Sequence, residues 1–217
     1  EHNYVNGKCI DCNSYDPNYV DENASKGLFF ELNEDNKSYC VKRIGGCKDT
    51  DVIIPSIYKG LPVTSIGYIA FYNCYNLTSI VIPNSVTSIG KLAFYDCFSL
   101  TSITIPNSVT DIGEEAFSGC ESLERIVIPN SVTSIEKLVF AGCESLERIV
   151  VPNSVISIGK EAFAACYSLI SVDIPSSVTN MEYDAFYGCR NLTSINVDIN
   201  NQYYKSIDGN LYTKDGT

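Results

Sequence analysis

The sequence predicts an α/β fold: a right-handed solenoid with one parallel β-sheet, short helical or 3₁₀ turns and an N-terminal β-hairpin cap. The first observation is a fixed period, since cysteine recurs every 23 residues from Cys74 to Cys189. The second is that leucine, phenylalanine and proline columns keep the same step. One unit of this length cannot bury its own apolar face, so neighbouring units have to stack to make a core.

Each segment of the repeating unit has a predicted role. The unit reads L-x-x-I-x-I-P-x-S-V-x-x-I-G-x-x-A-F-x-x-C-x-x, and its I-x-I alternation predicts a short strand such as 103–105. Proline ends that strand because it has no N–H to donate. S-V-x-x-I is compatible with a second short strand, and the glycine permits a turn. The A-F-x-x-C stretch has a spacing that suits one helical or 3₁₀ turn held by packing.

The repeat cysteines are predicted to be free core thiols. Equivalent Cβ atoms in an in-register stack lie about 4.8 Å apart on parallel vectors. A disulfide prefers about 3.8 Å and a dihedral angle near 90°. We therefore expect Cys74 to Cys189 to be buried and unbridged, acting as small apolar residues. Redox catalysis and metal binding are the alternatives to this reading.

The domain organisation follows from where the period holds. Residues 1–26 are polar and aperiodic, and we interpret them as a linker or the tail of another module. Residues 27–217 form the predicted solenoid, with a hairpin cap over 27–46 and repeats over 47–197. The first repeat carries five extra residues within SIYKGLP, which we expect to bulge as a loop. Residues 198–217 begin a further hairpin module around Asp208-Gly209.

One cysteine pair lies outside the repeat. Cys9 and Cys12 follow His2 with the spacing H-x6-C-x2-C, which offers three candidate ligands of a zinc site whose fourth ligand would lie elsewhere. A local disulfide, or two thiols without a role, explains the same residues. No other cofactor is predicted.

Composition excludes several classes of partner. Fifteen Lys and Arg against 26 Asp and Glu give a net charge of −11, which disfavours DNA, RNA and anionic membranes. No run of 18 apolar residues occurs, so we expect no membrane insertion. The chain opens on Glu1-His2-Asn3 with no visible signal peptide, and we expect it to be a piece of a longer protein, continuing beyond Thr217.

The unit resembles the BspA-like class of leucine-rich repeat proteins. Residues 98–120, FSLTSITIPNSVTDIGEEAFSGC, match that pattern almost throughout, and the flanks DVIIPSIYKGLPVTSIG and SIDGNLYTKDGT are also similar. The departures are few: Val139 for Ala, Glu136 and Glu182 for Gly, and Met181 for Ile. The resemblance implies a curved solenoid on a secreted or cell-surface protein, with adhesion to host or matrix proteins as the expected role. It implies no catalytic residues.

Enzyme chemistry has no support from the residues, because the single histidine lies outside the array and no catalytic triad can be drawn.

Binding is favoured through the outward residues of the strands. The candidate binding residues are Val81, Thr104, Arg125, Val127, Arg148, Val150, Asp173 and Asn196. An alternative surface is the aromatic edge near the cysteines (Tyr72, Tyr75, Tyr95, Phe98, Tyr167 and Tyr187), whose rings could equally stack on one another without a partner.

Three functional hypotheses stay open. The chain is an adhesion module that binds protein, a structural spacer in a larger surface protein, or a glycan-binding surface. We expect a monomer, although the sequence does not fix the oligomeric state.

Overall fold

The computed structural model describes residues 3–16, 18–19 and 21–215. Every regular element in this part of the chain is a β-strand. In chain order the strands are β1 (Tyr4–Val5), β2 (Lys8–Cys9), β3 (Phe29–Leu32), β4 (Tyr39–Arg43), β5 (Asp51–Ile53), β6 (Ile57–Tyr58), β7 (Leu61–Ile66), β8 (Ser79–Val81), β9 (Ser88–Ile89), β10 (Ser102–Thr104), β11 (Asp111–Ile112), β12 (Arg125–Val127), β13 (Ser134–Ile135), β14 (Arg148–Val150), β15 (Ser157–Ile158), β16 (Ser171–Ile174), β17 (Asn180–Met181), β18 (Ser194–Val197), β19 (Tyr204–Ile207) and β20 (Asn210–Thr213).

The I-x-I segments form one parallel sheet, as predicted. Its seven strands run in the order β18-β16-β14-β12-β10-β8-β5. Each residue pairs with the residue one repeat away, for example Ile103 with Ile126. The inward isoleucines lie in line and are buried, except that Ile195 in the last strand is only half-buried. Ile195 differs because no further repeat stacks on its outer side within the described chain.

The S-V-x-x-I segments form the second side of each rung. Strands β11, β9 and β7 pair in parallel and continue into β4 and β3, while β13, β15 and β17 make a separate three-stranded sheet. The predicted N-terminal hairpin is confirmed, because β3 and β4 pair antiparallel and β4 then pairs in parallel with β7. Val41 of β4 is fully buried, so the hairpin covers the first rung.

The break between these two smaller sheets falls at Glu136. A Cβ atom on the equivalent Gly113 would lie 2.5 Å from the backbone nitrogen of Lys91 in the preceding rung. Glycine at this column therefore allows a close approach of neighbouring rungs, rather than the predicted turn conformation. The N–H of Gly113 reaches Ile89 O at 2.9 Å, and within the described residues the N–H of Glu136 has no matching bond.

The predicted helical or 3₁₀ turns are wrong. The A-F-x-x-C segments consist of linked turns, and the described chain contains no helix of either kind. The physical reason is backbone conformation, since Leu92 has φ 58° and Asp96 has φ 55°, and the other repeats have positive φ at the same two columns. Two left-handed residues four positions apart interrupt any right-handed helix.

Alternate N–H groups of these turns bond in two directions. Phe94 N–H reaches Ala116 O of the next rung at 2.8 Å, whereas Cys97 N–H returns to Phe94 O at 3.2 Å. The turn side of the solenoid is therefore a ladder of inter-rung hydrogen bonds, and it satisfies the backbone without a helix.

Two irregular segments are more ordered than the sequence indicated. The five-residue insertion forms a tight hairpin in which β6 pairs with β7 around Lys59 and Gly60, both with positive φ. Residues 4–9, read as aperiodic, form a second hairpin in which β1 pairs with β2 around Asn6-Gly7. Positive φ at both central residues is the geometry of a type I′ turn, for which Asn-Gly is the preferred sequence.

Candidate functional site

The outward residues of the seven-stranded sheet form a surface that we call the strand face. All eight predicted binding residues lie on it and are exposed. Val127 is 72% exposed and Val150 is 70% exposed, because they project from adjacent strands away from the core. Val81 is 55% exposed. Val127 and Val150 thus form an exposed apolar pair at the middle of the face, with Thr104 between Val127 and Val81.

Two arginines lie beside these valines. Arg125 and Arg148 are directly paired across β12 and β14. Like charges in this position repel, so an ion-pair partner would be expected. Glu124 and Glu147 precede them in sequence, but no carboxylate of the described residues lies within 4.0 Å of either guanidinium. Neither glutamate therefore forms an ion pair with these arginines.

Both ends of the strand face are polar and internally bonded. Asn196 Nδ2 donates to Asp173 Oδ1 at 2.9 Å. At the other end Asp51 accepts hydrogen bonds from Thr78 Oγ1 at 2.9 Å and Ser79 Oγ at 2.6 Å, which lower the pKa of Asp51. Asp51 is not among the residues predicted from the sequence, although its position one residue before the Val52-Ile53-Ile54 run placed it on the outward side. The end residues already have partners, which leaves the centre as the open part of the face.

Rings of the aromatic edge stack on one another from rung to rung, as the sequence analysis allowed. Tyr72 stacks on Tyr95 with ring centroids 5.1 Å apart, and Tyr75 stacks on Phe98 at 5.0 Å. Tyr167 lies under the guanidinium of Arg190, 4.8 Å from the ring centroid. These contacts stiffen the edge from rung to rung without any partner.

The repeat cysteines are unbridged, as predicted, and four of the six are buried; Cys74 and Cys189 are half-buried because they lie in the first and last turns. Each thiol from Cys97 onward donates to the phenylalanine carbonyl of the preceding rung, for instance Cys120 Sγ to Phe94 O at 3.2 Å. Burial raises the pKa of Cys143 to about 12. Cys143 is thus a protonated packing residue at neutral pH.

The structure places only two of the three candidate zinc ligands. Cys9 is buried, Cys12 is exposed with its Sγ 3.1 Å from Ser14 Oγ, and His2 lies outside the described residues. No cluster of three or more metal-ligating side chains occurs in residues 3–16, 18–19 and 21–215. The N-terminal segment instead lines one wall of a cavity of about 810 Å³, opposite Phe30 and Tyr58.

Comparison with known proteins decides the family. Residues 64–193 and 135–213 match the BspA type leucine rich repeat region, in six copies. The chain belongs to the BspA-type leucine-rich repeat family. A leucine-rich repeat protein of T. pallidum is 38% identical with a TM-score of 0.76, over 81% of each chain. This family is generally non-enzymatic, and its members typically serve as protein-interaction proteins.

Further solved structures share the fold of this BspA-type chain. A leucine rich cell surface protein from Faecalibacterium prausnitzii A2-165 is 32% identical with a TM-score of 0.71, and the match covers 91% of this chain and 59% of that one. The pneumococcal vaccine antigen PcpA, at 24% identity and a TM-score of 0.69, shares the fold over 88% of this chain and 53% of its own. A comparison with curated proteins gives no match. None of the described segments is a helix with the length and apolarity to cross a membrane.

Proposed function

We propose that the chain is a non-enzymatic extracellular or cell-surface repeat protein that mediates adhesion or protein–protein interaction through the centre of its strand face. The observation that carries the proposal is the central patch, in which two exposed valines adjoin two arginines without carboxylate partners. Exposed apolar groups are a cost to an isolated monomer when they cluster, and they favour an interface.

The chemistry of the central patch indicates the kind of partner. Arginine presents a planar fork of donors that binds carboxylates in pairs, and it is enriched among the residues that dominate binding energy. Val127 and Val150 supply an apolar surface that loses water on contact. We infer a protein partner with an acidic side chain beside an apolar one.

The cell-surface location is supported by the relatives. The F. prausnitzii protein is a cell surface protein of the same repeat class and is 32% identical to this chain. A net charge of −11 disfavours nucleic acid as the partner. The spacer and glycan-binding hypotheses have no feature of comparable specificity among the described residues.

Replacement of both arginines by alanine is expected to weaken binding of a captured host or matrix protein by more than about 2 kcal/mol, because these side chains lie at the centre of the patch. The measurement is a titration by calorimetry with the purified partner. The matched variant is Tyr72→Ala with Tyr95→Ala, which removes a stacked pair from the aromatic edge and should bind normally.

Two outcomes would contradict the proposal. If the arginine variant binds like the parent and the tyrosine variant does not, then the aromatic edge is the interface. If neither the parent nor the variants bind any protein of the host or its matrix, then the spacer hypothesis replaces adhesion.

A further inference from the structure

Two of the four arginines of the chain make no contact that accounts for their charge. Arg43 and Arg190 each lie over an aromatic ring, at 4.7 and 4.8 Å from the ring centroid. Among the described residues, Arg125 and Arg148 have neither a ring beneath them nor a carboxylate within 4.0 Å. Arginine carries five N–H donors in a rigid planar fork. The donors of these two side chains are therefore available to another molecule.

The two arginines are neighbours in a row of donors that crosses the strand face. Arg125 and Arg148 pair in register on adjacent parallel strands, whose backbones lie about 4.8 Å apart. The row continues with Ser102 on one side and Ser171 on the other. In the part of the chain that the structure describes, neither serine hydroxyl has a hydrogen-bond partner. The row thus presents two positive charges with a hydroxyl beyond each of them.

A tetrahedral oxyanion fits this row better than a carboxylate does. A carboxylate has two oxygens in one plane and matches the fork of a single arginine. The three terminal oxygens of a phosphate or sulfate ester point in different directions, so they can accept hydrogen bonds from two adjacent guanidinium groups. A phosphate monoester also carries a charge of about −2 at neutral pH, which balances the charge of the arginine pair.

The exposed valines indicate which side chain carries the oxyanion. Val127 and Val150 follow the arginines by two residues on the same strands, so they project from the same face. Two residues of a parallel strand span about 6.6 Å, which is close to the length of a tyrosine side chain from its Cβ atom to its oxygen. A tyrosine ring can therefore lie across the valines while its ester contacts the arginines. Serine and threonine esters have no ring to cover this apolar surface.

Nearby carboxylates limit the kind of anion that can bind. Glu124 and Glu147 precede the arginines and are exposed, and Asp173 lies beside Val150 on the next strand. The net charge of −11 acts less strongly, because charges more than about 8 Å away are largely screened at physiological salt. A long polyanion would run past these carboxylates and be repelled, whereas a single ester contacts only the arginine pair.

We propose that the centre of the strand face binds a sulfated or phosphorylated tyrosine of a partner protein, with its ester on Arg125 and Arg148 and its ring across Val127 and Val150. This assignment rests on the proposed function, in which the same face binds a protein. It specifies the chemical group that the face recognises. Clustered arginines bind acidic esters in several classes of peptide-binding domain.

The test uses a fluorescein-labelled peptide, Gly-Ala-Ala-Tyr-Ala-Ala-Gly, whose tyrosine is unmodified, sulfated, phosphorylated or replaced by carboxymethyl-phenylalanine. Each form is titrated with the full chain at physiological salt and followed by fluorescence anisotropy. We expect saturable binding of at least one ester form, about tenfold tighter than the carboxymethyl form, which has the same ring but a carboxylate. The unmodified peptide should not bind, and the tighter ester identifies a sulfated or a phosphorylated source.

Paired substitutions of arginine by lysine localise the ester. Arg125→Lys with Arg148→Lys keeps both charges but removes the planar forks, and it is expected to weaken ester binding about tenfold. The matched control is Arg43→Lys with Arg190→Lys, which makes the same chemical change away from the strand face and should leave binding unchanged.

Removal of the neighbouring carboxylates tests the site without changing an arginine. Glu124→Gln with Glu147→Gln is expected to strengthen ester binding about threefold at low salt and less at high salt, because the repulsion is screened. Both positions are exposed, so the fold should be unaffected. An unchanged affinity at low salt would show that the ester does not lie beside Arg125 and Arg148.

Three further results would overturn the proposal. They are equal binding of the ester and carboxymethyl peptides, equal binding by the parent and the Arg125→Lys, Arg148→Lys variant, and displacement of the ester peptide by an equal concentration of heparin, which would indicate a sulfated glycan instead. If a captured protein requires the arginines but neither ester peptide binds, the ester assignment is wrong and the protein interface stands. If an ester peptide binds but no protein is captured, adhesion is wrong and the ester site stands.

Discussion

Phe117→Ala is expected to lower the free energy of unfolding by about 4 kcal/mol, within the range measured for large aromatic residues removed from a core. Phe117 is fully buried, with its ring stacked between Phe94 at 5.2 Å and Phe140 at 5.7 Å. Its removal leaves a cavity that rigid neighbouring rungs cannot fill. The measurement is equilibrium unfolding in urea, followed by circular dichroism.

The matched control for this core change is Val127→Ala on the strand face. Val127 makes no contribution to the core, and its loss should change the free energy of unfolding by no more than about 0.5 kcal/mol. A loss below about 1 kcal/mol for Phe117→Ala would mean that the phenylalanine column does not hold the rungs together.

Asn201→Leu is expected to cost about 3 kcal/mol, although it replaces an amide by an apolar group of similar size. Asn201 is fully buried at the position where the preceding rung has Val178. Its Nδ2 donates to the carbonyls of Pro175 and Val178 at 2.9 Å. Its Oδ1 accepts from the backbone nitrogens of Tyr203 and Tyr204, at 2.9 and 2.8 Å. Leucine removes the side-chain partner of all four groups, although Pro175 O keeps a hydrogen bond from Val178 N–H at 3.3 Å. Each buried group left without a partner costs about 1–3 kcal/mol before relaxation.

The positions at which amide exchange accelerates distinguish the loss of the Asn201 hydrogen bonds from a general loss of packing. Amide exchange of Tyr203 and Tyr204 should accelerate in Asn201→Leu, while the central rungs stay protected. Asn196→Leu is the control, since Asn196 is exposed and its side chain bonds to the exposed Asp173 Oδ1 rather than to a backbone group. Equal destabilisation by the two substitutions would show that Asn201 does not fasten the C-terminal hairpin.

The sheet and the core could be predicted from the sequence because they depend on the 23-residue period and on the alternation of inward and outward residues in each strand. Inward isoleucines and outward strand-face residues follow directly from a side-chain period of two once the 23-residue step is known. The unbridged state of the repeat cysteines could be predicted equally well, since the geometry of a parallel stack disfavours disulfides. The hydrogen bonds from the thiols to the phenylalanine carbonyls could not be predicted, because they depend on the offset between neighbouring rungs.

The conformation of the turn side could not be predicted correctly from the sequence, and the reason is local. Leu92, Glu115, Leu138 and Glu161 occupy the left-handed region, with φ between 56° and 58°. None of these residue types prefers that conformation. It is stabilised by inter-rung hydrogen bonds, which are tertiary contacts that no local pattern reveals. The hairpin at Asn6-Gly7, in contrast, carried a recognisable turn signal.

The strand face, too, could be predicted from the sequence only in part. The strand face was predicted residue by residue, but the absence of a carboxylate beside Arg125 and Arg148 depends on side-chain directions.

Deletion of one complete rung tests most directly the claim that the chain is a single stack of equivalent 23-residue units. Removal of residues 123–145 joins Ser122 to Leu146, and the two repeats that begin at Leu123 and Leu146 are nearly identical. The shortened chain should fold cooperatively, with a smaller denaturant dependence because less surface is buried. Removal of only residues 123–134 shifts the register and should abolish folding. If the complete-rung deletion unfolds, or if both deletions behave alike in urea unfolding, the stacked-rung account is wrong.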